Sequence, residues 1–169
     1  TVLHPSEYGK DRKFWPSLTK YDDKTRPDRN EASDRPFIVH RFAETYLIAA
    51  EAAHMQGNNP EAADLINEVR RRAAWRAEYS ESELQAAQNA MEISASDVDI
   101  DFILNERTRE LAGEYMRWFD LNRTGKLLER VKQYNPDASG NIQEYHKLRP
   151  IPVNQDDLTD NDYPQNPEY

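Results

Sequence analysis

The 169-residue sequence predicts a mainly α fold, in which a helical hairpin is followed by further helices and a long irregular, proline-rich C-terminal tail. Two observations carry this. Apolar residues recur at three- and four-residue steps through successive stretches between residues 37 and 134, and nine of the ten prolines lie toward the two ends of the chain, outside that range.

Residues 1–36 hold His4-Pro5, Trp15-Pro16, Arg26-Pro27 and Arg35-Pro36 among many charges. The residue before each proline is biased away from helix, so this part reads as an extended lead-in. From residue 37 the pattern changes. Val39, Phe42, Ala43, Tyr46, Leu47, Ala50, Ala53 and His54 fall on one helical face, and Gly57 suits the left-handed position that ends a helix. Asn59 then reads as an N-cap with Pro60 at the first helical position, and Ala62, Leu65, Ile66, Val69 and Ala73 form a second apolar stripe. Residues 37–78 thus make an antiparallel hairpin of about the size of one tetratricopeptide unit, which cannot bury both of its faces alone.

Further helices are expected over residues 79–134. Ser80 and Glu83 have capping-box spacing for a short, peripheral helix toward Met91. A third strong helix is expected after Ser96 or Asp97, burying Ile100, Ile103, Leu104, Leu111, Ala112, Tyr115 and Phe119 and reaching Gly125. Leu127, Leu128, Val131 and Tyr134 suggest one more short helix. Residues 135–169 read as a tail anchored by Leu148, Ile151, Tyr163 and Tyr169.

Composition narrows the partners. The chain is 37% hydrophobic and 31% charged, which implies one unit with a thin core, or a core completed against a surface outside these residues. With 31 acidic against 22 basic residues the net charge is −9, and the basic residues are interleaved with acids, so nucleic acid is excluded as a partner. No cysteine is present, which removes disulfides, thiolate metal sites and a thiol nucleophile. No apolar run approaches the roughly 20 residues of a membrane span.

His40-Arg41-Phe42-Ala43-Glu44-Thr45-Tyr46-Leu47-Ile48-Ala49-Ala50-Glu51-Ala52, with Asn67-Glu68-Val69-Arg70-Arg71-Arg72-Ala73, is the first of three stretches that together resemble the C-terminal portion of the SusD/RagB family, here its Arg-x-Ala-Asp/Glu, Ala-Glu-Ala and Asn-x-Val-Arg-x-Arg-Ala run. Glu106-Arg107-Thr108-Arg109-Glu110-Leu111 followed by Glu114-Tyr115-Met116-Arg117-Trp118-Phe119-Asp120-Leu121 is similar to its Glu-Arg-x-x-Glu-Leu and Arg-Trp-Phe-Asp-Leu signature. Pro150-Ile151-Pro152 with Gln165-Asn166-Pro167-Glu168-Tyr169 looks like its terminal Pro-Ile-Pro and Gln-Asn-Pro-Gly-Tyr. Three departures stand out: Tyr115 and Glu168 occupy positions where the family commonly has glycine, and residues 76–97 look like an expanded connection.

The resemblance implies the C-terminal part of a longer, non-catalytic lipoprotein at the cell surface of Bacteroidota-type bacteria. Such a protein captures an oligosaccharide or other nutrient and works with a SusC-like TonB-dependent transporter of the outer membrane. Its lipid anchor would lie outside this chain. No cofactor is expected. A self-contained tetratricopeptide-like module that grips a peptide is the alternative, but it leaves the Pro-Ile-Pro and Gln-Asn-Pro tail without a role.

An enzymatic reading rests on Glu106, Glu110 and Glu114, whose four-residue steps place neighbours about 5–6 Å apart at Cβ, near the separation of a retaining-glycosidase pair. Arg107, Arg109 and Arg117 lie among them and favour ionised carboxylates, whereas a general acid needs a raised pKa. Glu106, Arg109, Glu110, Glu114 and Arg117 are therefore expected to form a structural ion-pair network, and no catalytic residue is assigned. The four histidines show no zinc-binding spacing, and the acidic stretch of residues 156–162 lacks the glycine and glutamate of a calcium loop, so no metal is assigned. Aromatic faces are the remaining candidates for a sugar ligand. Trp15, Tyr21, Trp75 and Tyr79 are expected to be the exposed ones, while Trp118 is expected in the core.

Overall fold

The computed structural model describes residues 18–28, 30–160 and 164–169, with the side chains of residues 156 and 157 outside that description. Among the described residues the regular structure is helical: α1 Phe42–Met55, α2 Asn59–Ala74, α3 Glu81–Met91, α4 Ile100–Glu110, α5 Arg117–Arg123, α6 Leu127–Tyr134, α7 Pro136–Ser139 and α8 Val153–Asp157, with single 3₁₀ turns at Thr19–Tyr21, Ala95–Asp97 and Glu144–Lys147.

The hairpin of α1 and α2 is closed by chemistry local to its turn. Gly57 takes φ +79°, its amide donates to the His54 carbonyl at 2.8 Å, and the Asn58 amide donates to the Ala53 carbonyl at 2.9 Å. These are the two hydrogen bonds of a Schellman motif, whose left-handed residue favours glycine because a Cβ would be strained there. Asn58, one residue earlier than the spacing suggests, is the N-cap of α2 and accepts from the Glu61 amide. Asn59 is released to bind elsewhere, donating to the Val98 carbonyl at 3.1 Å. Alanines 50, 53, 62 and 63 are buried where the two helices meet, so their backbones approach closely, and Leu47, Ile66, Val69, Val98 and Ile103 complete this first core.

Two polar side chains of α2 fasten the connection to α4 and α4 itself. The buried Asn67 bonds the backbone of Ile93 in both directions, at 2.9 Å each. Arg70 donates to the Met91 carbonyl and reaches Glu106 of α4 at 2.7 Å. Helix α3 starts with the capping box of Ser80 and Glu83, buries no residue fully and stays peripheral on α2. Helix α4 is N-capped by Asp99, later than expected, because Ser94 and Asp97 close the preceding 3₁₀ turn on each other.

Helix α4 joins two cores. Ile103 faces the first, and its neighbour Leu104 faces a second formed with Leu121 and Leu127, against which Ile100, Trp118, Leu128 and Val131 pack. Each fully buried leucine or isoleucine in these layers contributes about 1.5–3 kcal/mol. Gly125, at φ +71°, ends α5 with a second Schellman pair.

The expected continuous helix from residue 97 to 125 does not form. It breaks after Glu110, where Gly113 takes φ +79° and Tyr115 takes φ +63°, and α5 begins anew at Arg117. The turn carries Tyr115 and Phe119 outward, so both are exposed rather than buried. Val39 and Phe42, placed on the buried face of the hairpin by their spacing, are exposed as well. In the tail, Gln165 bonds both the amide and the carbonyl of Ile151 at 2.8 and 3.0 Å, Asn166 donates to the Arg149 carbonyl, and the Tyr169 hydroxyl donates to the Leu148 carbonyl at 2.9 Å. The tail is thus held by side chain to backbone bonds with short helical turns between them, and Tyr163 lies outside the described residues.

Candidate functional site

The segment before α1 is bound to the C-terminal end of α4. Lys20 donates to the carbonyls of Glu110 and Ala112 at 3.1 and 2.9 Å and to the Glu114 carboxylate at 2.7 Å. Arg41 adds a second cation: its Nε lies 2.8 and 3.0 Å from the two oxygens of Glu114, and its terminal nitrogens reach the carboxylate and carbonyl of Glu110. Two cations on the last carbonyls of a helix complement its dipole and satisfy its unpaired acceptors. Burial opposes the ionised form of Glu114, but hydrogen bonds from Lys20 and Arg41 outweigh it and hold the carboxyl below its ordinary range.

Immediately after this knot, Tyr115 projects from its left-handed turn. Phe37 faces it with ring centroids 6.2 Å apart, and Tyr21 stacks on Phe37 at 5.7 Å and an interplanar angle of 10°. The three rings border a cleft of about 290 Å³, whose remaining walls are Ser33, Arg35 and Pro36. Phe37 is 60% exposed and Tyr115 78% exposed. Gly113 makes the arrangement possible, since a Cβ there would stand 2.8 Å from Leu18 Cδ1 and 3.6 Å from Tyr21 Cε2. The wall behind the cleft is tied locally: Asp23 accepts from Thr25 and Ser33, which lowers its pKa to about 2, with the Ser33 bond the larger cause. Flat apolar faces beside a hydroxyl and a guanidinium can take a ligand that has both C–H and O–H surfaces.

Of the aromatic residues singled out as ligand candidates, Tyr21 lies in this cleft; Phe37 and Tyr115, not among those candidates, line it with Tyr21, and Lys20 and Arg41 belong to the adjoining knot. Trp75, 57% exposed, and Tyr79, 41% exposed, follow α2 and share no ring contact with the cleft residues. Trp15 lies outside the described residues, as does part of the 156–162 acidic stretch. Among the described residues, no group of three metal-ligating side chains gathers.

The carboxylates of α4 are engaged by cations from three segments. Glu106 pairs with Arg70 and Arg109 at 2.7 and 2.6 Å, and Glu110 pairs with Arg41 and Arg72. Arg117, expected to be ion-paired with them, instead donates to the Leu104 carbonyl at 2.9 Å and makes no ion pair among the described residues. Burial, with Arg130 and Arg107 nearby, lowers its pKa. The helix break is the reason, because it rotates Arg117 away from the face that carries Glu110.

A buried triad replaces it. Arg107, 3% exposed, donates to Asp120 at 2.7 Å and to Glu44 at 3.4 Å, tying α4 to α5 and α1. Its signal in the sequence is an arginine on the same helical stripe as Ile103, Leu104 and Leu111, where a charge requires a buried partner. Arg149 lies over Trp118 and Phe119 at 5.7 and 5.8 Å, joining the tail to α5.

The SusD family model matches residues 5–169. SusD-like protein P25 of Formosa agariphila is 35% identical over 134 residues, covering 75% of this chain and 23% of that protein. SusD-like protein P38 of the same organism is 35% identical over 102 residues, covering 60% of this chain and 20% of its own. The chain spans less than a quarter of these curated relatives. No solved structure matches it. The match over nearly its whole length establishes that the chain belongs to the SusD family.

Proposed function

We propose that the chain is the C-terminal scaffold of a protein that captures an oligosaccharide or other nutrient at the outer-membrane surface and passes it, uncleaved, to a SusC-like TonB-dependent transporter. The observation that carries this reading is the family match across residues 5–169. The geometry of α4 supports it. Glycosidic cleavage needs one carboxyl with a raised pKa beside an ionised one. Glu106, Glu110 and Glu114 instead each hold an arginine or lysine at 2.7 Å or less, and Glu114 is shifted downward. They fasten α4 to α2 and to the segment before α1.

No described helix is long and apolar enough to cross a membrane. In this reading, attachment is through a lipid anchor outside the chain. The test is affinity purification of the full-length protein from detergent-solubilised outer membranes of its native host. Recovery of a TonB-dependent transporter in the same complex is expected; recovery of the protein alone, with no transporter after cross-linking, contradicts the reading.

A further inference from the structure

We propose that the pocket walled by Arg109, Arg117 and Arg130, between α4, α5 and α6, is a site for a carboxylate carried on an apolar body. This goes beyond the nutrient-capture reading and stands independently of it.

The charge of Arg117 is the first reason. Its side chain is half-buried and donates to the Leu104 carbonyl at 2.9 Å, but no carboxylate among the described residues pairs with it. Asp120, three residues on in the same helix, is already held by Arg107 at 2.7 Å and by Arg123 at 3.1 Å. Burial and the like charges of Arg130 and Arg107 disfavour the cation. A guanidinium nevertheless keeps its proton inside a protein, so its charge stays costly until an opposite charge reaches it. Acids outnumber bases in the chain as a whole, which makes this shortage local to the pocket.

The neighbouring cations do not relieve it. Glu106 is shared by Arg70 at 2.7 Å and Arg109 at 2.6 Å, so one carboxylate answers two guanidinium groups. Arg130, 4% exposed, spends its donors on Asp101 at 2.7 Å and on the Asn105 side chain at 2.5 Å. Arg70, Arg109, Arg117 and Arg130 thus have two carboxylates between them, and an incoming carboxylate can be taken on the planar fork of Arg117.

The form of the pocket is the third. Its volume is about 470 Å³, within the range of small-ligand sites, and Leu121, Val131 and Tyr134 line it beside the arginines. A bare inorganic anion would leave that apolar wall uncovered, whereas a carboxylate with a hydrocarbon body meets both surfaces. The walls all come from residues 105–135, so they do not depend on what the longer polypeptide adds. The longer polypeptide can supply the carboxylate from one of its own side chains, or the pocket can take it from a free acid; the recognition chemistry is the same.

The experiment uses the full-length protein. Benzoate is titrated calorimetrically into wild type, Arg117→Gln and Tyr134→Ala, with benzamide as its uncharged isostere. Glutamine can still donate to the Leu104 carbonyl, and Tyr134→Ala keeps every cation, so it decides alone if Arg117→Gln melts far below wild type. In parallel, Arg117→Lys is treated with a carbodiimide, which joins an amine to a carboxylate in direct contact, and the product is mapped by mass spectrometry. Millimolar binding of benzoate but not benzamide, weakened about fivefold or more in both variants, is the result expected for a free acid. No benzoate binding, together with a cross-link from position 117 to a carboxylate outside residues 1–169, is the result expected for the longer polypeptide. Benzoate bound equally by wild type and variants, benzamide bound as well as benzoate, or no binding with a cross-link only to Asp120 or to nothing, overturns the site.

Discussion

Arg41 and Glu114, 73 residues apart in the chain, meet in a two-point contact, with Nε 2.8 Å from one carboxylate oxygen and 3.0 Å from the other. Their side chains are 24% and 5% exposed, so the pair is largely withdrawn from water. Removing one partner of such a pair strands the other charge and costs about 3 kcal/mol. Arg41→Ala is expected to lower the urea midpoint accordingly. Arg41→Ala combined with Glu114→Ala is expected to be less destabilised than the sum of the single changes, because the two residues share one contact. Full additivity in the double-mutant cycle would remove this contact as a source of stability.

The same carboxylate sets a pH dependence. An acid whose folded pKa lies below its ordinary value of 4.5 stabilises the fold at higher pH and loses that contribution as the pH falls through the folded pKa. Wild type should therefore exceed Glu114→Gln in stability at neutral pH, and the difference should narrow below about pH 4.5. Asp101, Asp97 and Glu83 are lowered too, so the variant keeps part of the acid limb. Denaturation curves at a series of pH values check this; a gap that stays constant to about pH 3 contradicts it.

Glycine substitution should stabilise two positions. Tyr115 and Glu168 are the non-glycine residues with positive φ among those described. Tyr115→Gly and Glu168→Gly are each expected to raise stability by up to about 1 kcal/mol, offset partly by the freer unfolded chain. Gly113→Ala acts in the opposite sense, since its φ is +79° and its new Cβ would meet Leu18 at 2.8 Å. Thermal melts should place the first two variants above wild type and Gly113→Ala below it.

The fold is legible in the sequence where its determinants are local. The hairpin of α1 and α2 follows from apolar spacing, Gly57 and the Asn58-Asn59-Pro60 start, and the Ser80–Glu83 capping box sets α3. The break after Glu110 is hidden because Leu111, Ala112, Tyr115 and Phe119 keep helical spacing through it, so periodicity alone extends the helix. Only the left-handed Gly113 and Tyr115 stop it, and a tyrosine does not advertise that conformation. The aromatic cleft is half visible: Tyr21 stands out among the aromatic candidates, but its meeting with Phe37 and Tyr115 depends on that turn and on cations contributed by distant segments.

Core packing gives a further expectation. Leu104 is fully buried at the centre of the second core, and Leu104→Ala is expected to cost about 2–5 kcal/mol. Leu158→Ala, at a residue 84% exposed, should change stability by less than about 0.5 kcal/mol. Equal losses at the two sites would place the second core elsewhere.

Whether the protein holds sugar without cutting it is decided by prolonged incubation of the chain, at neutral and acid pH, with cellohexaose, xylohexaose, maltohexaose and laminarihexaose, followed by chromatographic analysis of each saccharide. Recovery of intact hexaose, with binding retained in Glu110→Gln, is the predicted result. Release of shorter saccharides, abolished by Glu110→Gln or Glu106→Gln, would contradict it and make the α4 carboxylates catalytic.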